Sequence, residues 1–292
     1  MTAVADSARE VAEQGSEWTP ARHRLGPAFW IPVAWTMLVV ILASIAGVLP
    51  LRNPIESDFA SVSNWPNAEF WFGTDRLGRD IFSRSIYGAR VSLVVGALAP
   101  ALGLSVGMCL GMAAGYFRGR VESVNVAAMD AILGFPPILV ALAVSAYVGA
   151  STVILIFLLG VLSVPAFMRV ARANTLVFAQ REFVLAARAM GATHLRVLML
   201  ELLPNVIIPM LIYALLFVSR IIVIEGVLSF LGLSVPPPQP TWGNMIAEGQ
   251  ADLATEPYIC FFPSLLMFLT VLSINLIGER LRARTDVRGS AL

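Results

Sequence analysis

Glu182-Phe183-Val184-Leu185-Ala186-Ala187-Arg188-Ala189-Met190-Gly191, followed by Leu202-Leu203-Pro204-Asn205, lies between two long apolar runs of this 292-residue chain. The stretch is charged and helix-prone, whereas the chain on either side is apolar enough to cross a membrane. Phe183, Ala186, Ala187 and Met190 fall at i, i+3, i+4 and i+7, which predicts one shared helical face with small side chains at its centre. Gly191 predicts the end of that helix. Thr193 is placed to cap a second helical segment running through Leu195, Val197 and Leu198 toward Leu203 and Pro204. A short helix–glycine–helix between membrane spans predicts a docking knob for a soluble partner, against the plainer alternative of a connector.

Outward from that loop, composition sets the class. The chain is 58% hydrophobic and 13% charged, with a mean hydropathy of +0.79, which excludes an ordinary soluble domain. Crossing a bilayer takes about 20 apolar residues. Six stretches qualify: Phe29–Leu49, Val91–Tyr116, Val124–Val148, Thr152–Val170, Val206–Leu228 and Ile259–Ile277. They are apolar all round, unlike the amphipathic helices of a soluble core. The expected fold class is an all-α polytopic membrane protein with six transmembrane helices.

Arginine gives the orientation, because the chain has no lysine. With the N-terminus inside, fourteen arginines fall on inside segments, five on one long outside loop, and Arg220 within a span. The positive-inside rule then predicts that both termini are cytoplasmic. Residues 1–28 are polar and lack the pattern of a cleavable signal, so they are expected to form a cytoplasmic tail. The first span and outer loop occupy 29–90, a core transmembrane domain 91–280 with the charged loop at about 181–204, and a C-terminal cytoplasmic tail 281–292.

Several polar elements interrupt the apolar pattern. The outer loop carries Phe72-Gly73-Thr74-Asp75-Arg76-Leu77-Gly78-Arg79-Asp80-Ile81-Phe82-Ser83-Arg84, where Asp75 or Thr74 begins a turn and Asp80 and Arg84 have the spacing of an i, i+4 ion pair. Gly103, Gly107, Gly111 and Gly115 recur every four residues and predict a close helix contact. Pro136, Pro137 and Pro165 predict kinks or breaks. Asp130 sits near a span end and reads as a satisfied interfacial carboxylate. Arg220 and Glu225 lie inside a span, where ionisable groups face a partner or an aqueous path. Together with Ser229 they are candidates for a translocation path or a subunit interface. Their five-residue gap separates Arg220 and Glu225 by about 140° on an ideal helix. Trp242 is expected at the outer membrane interface, as an aromatic anchor.

No catalytic set is visible. His23 and His194 have no ligand-spaced neighbours, and Ser163, Ser219 and Ser273 have no histidine partner within a span. Cys109 and Cys260 both fall in spans. There is no Gly-rich phosphate-binding loop, so the chain is read as a non-enzyme.

The loop from Glu182 to Pro204 resembles the signature loop of bacterial ABC-importer permeases: an Ala-Ala pair, three residues, Gly, and a Leu-Pro end. It departs from that pattern at Leu185, where the family usually has Glu. Gly73-Thr74-Asp75 with Gly78-Arg79-Asp80 is similar to the opening segment of the C-type permeases of dipeptide, oligopeptide and nickel importers. Gly111–Gly119, Glu225-Gly226-Val227-Leu228-Ser229-Phe230-Leu231-Gly232 and Trp242-Gly243 also resemble that family. The resemblance implies a type I ABC-importer permease fold in the bacterial plasma membrane, with Glu182, Phe183, Ala186, Ala187, Met190, Gly191, Leu203 and Pro204 in a cytoplasmic coupling helix and its continuation. It implies a B-type permease as heterodimer partner and two ATPase subunits, separate or fused, which bind the ATP and magnesium. It further implies an extracytoplasmic substrate-binding protein. This chain is expected to hold no cofactor or metal and to bind no nucleic acid. The implied substrate is a dipeptide or short oligopeptide, with nickel or another small solute as the alternative. A proton-coupled secondary transporter is the rival class; it would show inverted repeats and several buried carboxylates.

Overall fold

A segment in lipid must satisfy its backbone groups internally, so apolar runs of this length fold as helices. The computed structural model describes residues 26–149 and 151–289, and among these there is no strand, only an isolated bridge between Thr74 and Asp80. The helices are α1 (Pro27–Ile45), α2 (Ile81–Phe117), α3 (Gly119–Leu133), α4 (Pro137–Val148), α5 (Thr152–Phe178), α6 (Glu182–Ala189), α7 (Leu203–Phe230), α8 (Trp242–Gly249) and α9 (Tyr258–Gly289). Helical turns at His194–Arg196 and Val197–Leu202 run without a break into α7. Among the described residues five stretches are long and apolar enough to cross a membrane, and the α3–α4 pair makes a sixth if it is one bent span. The tail expected over 1–28 lies almost wholly outside the described residues. The segment expected as a tail from 281 continues α9 as far as Gly289.

The third expected span is broken, with α3 and α4 meeting at 71°. Pro136 caps α4 and Pro137 takes its first turn, where a missing N–H is harmless. Pro136 also disfavours helical geometry at the residue before it, which ends α3. Pro165 makes no break: it lies inside α5, which runs unbroken from Thr152 to Phe178.

The glycine stripe fixes the centre of the bundle. A Cβ on Gly107 would lie 2.6 Å from the Phe167 Cβ and 2.8 Å from the Val164 carbonyl, and one on Gly111 would lie 2.7 Å from the Ala171 Cβ. Gly103 and Gly115 meet Ser163 and Thr175 of the same helix as closely. The four glycines therefore seat α2 directly on α5, and only a missing side chain allows that approach. Phe167, Phe217, Val95 and Ile221 fill the adjoining core between α2, α5 and α7. Cys260 is buried, whereas Cys109 faces outward from this chain.

At one end of the bundle the 49–80 loop and α8 form a charged platform. Asp75 Oδ1 accepts from the backbone N–H groups of Leu77 and Arg79, and Gly78 completes the turn at φ +74°. The ion pair expected between Asp80 and Arg84 is not formed. Asp80 instead caps α2 by accepting from the Ser83 N–H at 2.9 Å. Arg84 is 1% exposed; it donates to Glu248 at 3.0 Å and to the Pro54 carbonyl at 3.0 Å, and lies 3.6 Å from Asp75. Arg79 bridges Asp75 at 2.6 Å and Glu248 at 2.8 Å. Trp242, expected as an interfacial anchor, is 1% exposed and donates its indole N–H to the Ser85 carbonyl. A buried indole needs such an acceptor, and the tight approach of Gly243 to Gly226 draws the ring inward.

Candidate coupling loop and intramembrane polar groups

α6 opens with Glu182 and closes with Arg188, both placed to suit the helix dipole. Its end is a Schellman turn: the Gly191 N–H donates to the Arg188 carbonyl, and the Ala192 N–H donates to that of Ala187, both at 3.0 Å. Gly191 has φ +83° with open space around it, so the glycine serves the backbone conformation and not a close contact. The Thr193 side chain then accepts from the Arg196 N–H, as the sequence predicts. Leu203 bonds back to the Leu198 carbonyl, a π-type step that accommodates Pro204 in the first turn of α7.

The expected common face of α6 divides. Val184 is fully buried and Ala187 nearly so, turned into the chain's own core, where Val184 joins Tyr116, Val197 and Leu202. Phe183, Ala186 and Met190 remain on the outside with Glu182 and Leu185, and Met190 is 82% exposed. Each helical residue turns the side chain by about 100°, so the adjacent Ala186 and Ala187 fall on opposite sides of the boundary. Beyond the turn, Leu195, Met199 and Leu200 are exposed too.

One residue near the end of α2 touches both limbs of this loop. The Tyr116 hydroxyl lies 2.9 Å from His194 Nδ1 and receives a hydrogen bond from Arg188 Nε at 3.3 Å. The Arg188 guanidinium sits 4.7 Å from the centre of the tyrosine ring. Beside it a cleft of about 340 Å³ is lined by Arg118, Gln180 and Leu185. The sequence signalled neither the tyrosine's role nor that of His194, because their contact spans 78 positions.

The intramembrane groups separate. Glu225, expected at a subunit interface or path, is 1% exposed and points into its own chain, accepting from Ser92 Oγ at 2.9 Å and Ser234 Oγ at 3.1 Å. Arg220, expected as a buried charge near it, is exposed on the far side of α7 with its guanidinium 5.5 Å from the Phe217 ring centre. Among the described residues no carboxylate forms an ion pair with Arg220. The five-residue gap on one helix enforces this divergence. Ser229 is buried and shares a 2.6 Å hydrogen bond with Thr241, the N-cap of α8. Glu225 and Ser229 therefore hold α2, α7, α8 and their connecting loop together. Asp130 is satisfied by Arg169 at 2.6 Å, as expected of an interfacial carboxylate.

Comparison with known proteins matches this architecture. Residues 107–288 fit the family described as "Binding-protein-dependent transport system inner membrane component". The glutathione transport system permease protein GsiD of Escherichia coli O157:H7 is 37% identical over 250 residues, covering 86% of this chain and 82% of that protein. GsiD of Shigella dysenteriae serotype 1 is 38% identical over the same coverage. Among solved structures, the methionine ABC transporter MetNI in an inward-facing conformation matches with a TM-score of 0.57 and 19% identity, over 68% of this chain and 95% of that one; this likeness concerns the fold. A profile spanning more than half of the chain, relatives of this identity and a shared helical fold agree, and the chain belongs to the binding-protein-dependent transport system inner membrane components, the permease subunits of ABC importers.

Proposed function

We propose that the protein carries short peptides or peptide-like solutes inward, as half of a permease heterodimer. The observation that carries this reading is the α6–Gly191 knob: a capped helix whose outward face bears Phe183, Ala186 and Met190 without an internal partner surface. Such an apolar patch fits a groove on an ATPase subunit. ATP and magnesium are held by two such subunits, separate or fused, and a substrate-binding protein delivers solute at the opposite end. The substrate class is supported by the GsiD relatives, whose name gives glutathione, a tripeptide.

Arg220 lines the translocation path in this reading, while Glu225 and Ser229 are structural. A charge exposed to hydrocarbon costs at least about 2.5 kcal/mol, so the Arg220 face turns toward the second permease and the cavity between them. There it meets the carboxylate of a passing peptide. The α6 knob and both termini lie in the cytoplasm, and the 49–80 loop lies outside, by the arginine asymmetry.

The test is ATP-dependent uptake of glutathione by the complete complex in proteoliposomes, with nickel uptake measured alongside. Glutathione accumulation that stops without ATP supports the assignment; nickel uptake without peptide uptake overturns it. Orientation is tested with single cysteines at Ala68 and Ser290 in a background lacking Cys109 and Cys260. An impermeant thiol reagent on intact cells should label position 68 and spare position 290.

A further inference from the structure

We propose that the Tyr116 hydroxyl is the polar link through which motion of the coupling loop reaches α2 and α5, beside the continuous helix that joins the loop to α7. The inference rests on reading α6 and the His194 turn as the ATPase-docking loop, and it identifies the atom that ties that loop to the spans.

Tyr116 is 6% exposed and follows Gly115, the last glycine of the stripe that seats α2 on α5. A push on Tyr116 is therefore delivered to two helices packed without slack. Both limbs of the loop converge on its hydroxyl. Arg188 Nε–H donates to Oη from the α6 limb at 3.3 Å, and Nδ1 of His194 lies 2.9 Å away on the other limb. The arginine has only donors, so the oxygen accepts there, and toward Nδ1 it can either donate or accept according to the histidine tautomer. One atom thus joins the two sides of the Gly191 turn.

The remaining contacts restrain the loop differently. Val184 and Val197 hold it by apolar packing, which has no preferred direction and resists separation more than sliding. Gly191 has open space around it, so the turn itself has no packing contact with the bundle at that point. Arg188 and His194 are both exposed, yet each is oriented by the buried tyrosine, with Phe117 flanking the imidazole at 5.7 Å between ring centres. Without the hydroxyl, the two limbs keep their cover and lose their common fixed point. Tyr116 is a positioning residue in this scheme; it touches no substrate.

Tyr116→Phe separates the hydroxyl from the ring, which keeps its cation–π contact with Arg188. In the complete complex, assembly and basal ATP hydrolysis should stay at wild-type levels, while the ATP hydrolysed per solute imported rises about fivefold, the scale set by one lost hydrogen bond. His194→Ala should raise the ratio similarly, and His194→Asn, which keeps a polar group at the Nδ1 position, should restore it toward wild type. A wild-type ratio in Tyr116→Phe overturns the proposal. So does loss of assembly in that variant, which would make the hydroxyl a structural prop, and so does equal behaviour of His194→Ala and His194→Asn. Failure of the docking reading has a separate signature: ATPase binding and hydrolysis indifferent to bulk placed on the outward face of α6.

Discussion

Arg79 and Arg84 at one end of the bundle are held in the opposite way to Arg169 and Arg188 at the other. At the end built by the 49–80 loop and α8, Arg79 and Arg84 are buried and shared between Asp75 and Glu248. At the α6 end, Arg169 and Asp130 pair with more than half of each side chain exposed, Arg188 lies over a tyrosine, and Met190 and Leu195 stand free of this chain's core. A buried ion pair tolerates few geometries, because each lost partner leaves a charge without solvent. An apolar patch on an exposed helix imposes no such restriction until something covers it. The first end has the makings of a fixed platform, and the second of a surface finished by another subunit.

The sharpest way to break this contrast is Arg84→Leu. It leaves Glu248 with Arg79 alone, removes a positive charge from beside Asp75 and takes the donor from the Pro54 carbonyl, and should destabilise the permease by about 3 kcal/mol, the low end for a broken buried pair, read as a large fall in melting temperature in detergent. Gly107→Val strikes between the two ends. Its added carbons meet the backbone of α5, so overpacking of about 1–3 kcal/mol should wedge α2 from α5 and lower the melting temperature less than Arg84→Leu does. The smallest effect belongs to Asp130→Asn at the α6 end, where the exposed pair with Arg169 should change stability by less than about 1 kcal/mol. A loss there as large as that of Arg84→Leu would erase the distinction between the ends.

What the sequence made legible was local or periodic. Apolar runs marked the spans, the four-residue glycine spacing marked a close helix contact whose partner, α5, only the structure supplied, and Gly191 followed by Thr193 marked the turn in the loop. Pro136 and Pro137 marked a break but not its angle. Most of the misread positions depended on partners remote in sequence. Arg84 finds Glu248 164 positions away in preference to Asp80, which is drawn off to cap its own helix. Glu225 turns inward because Ser92, 133 positions earlier, supplies a hydroxyl. Ala187 shares the period of Phe183 and Met190, but helical period alone does not say where the buried arc begins; Val184 and its core neighbours decide that. Trp242 was assigned from the usual habit of tryptophan in membranes, whereas here the Ser85 carbonyl satisfies the indole within the protein.

The role of the α6 knob is tested most directly at Ala186, on its outward face. Ala186→Trp adds bulk to that face without entering the core, whereas the same change at Ala187 would disrupt the fold itself. The measurement is co-purification of the ATPase subunits with the tagged variant permease, together with its melting temperature in detergent. The predicted result is an unchanged melting temperature with loss of the ATPase from the complex. Full recovery of the ATPase with normal substrate-stimulated hydrolysis would contradict the assignment of this face as the coupling surface.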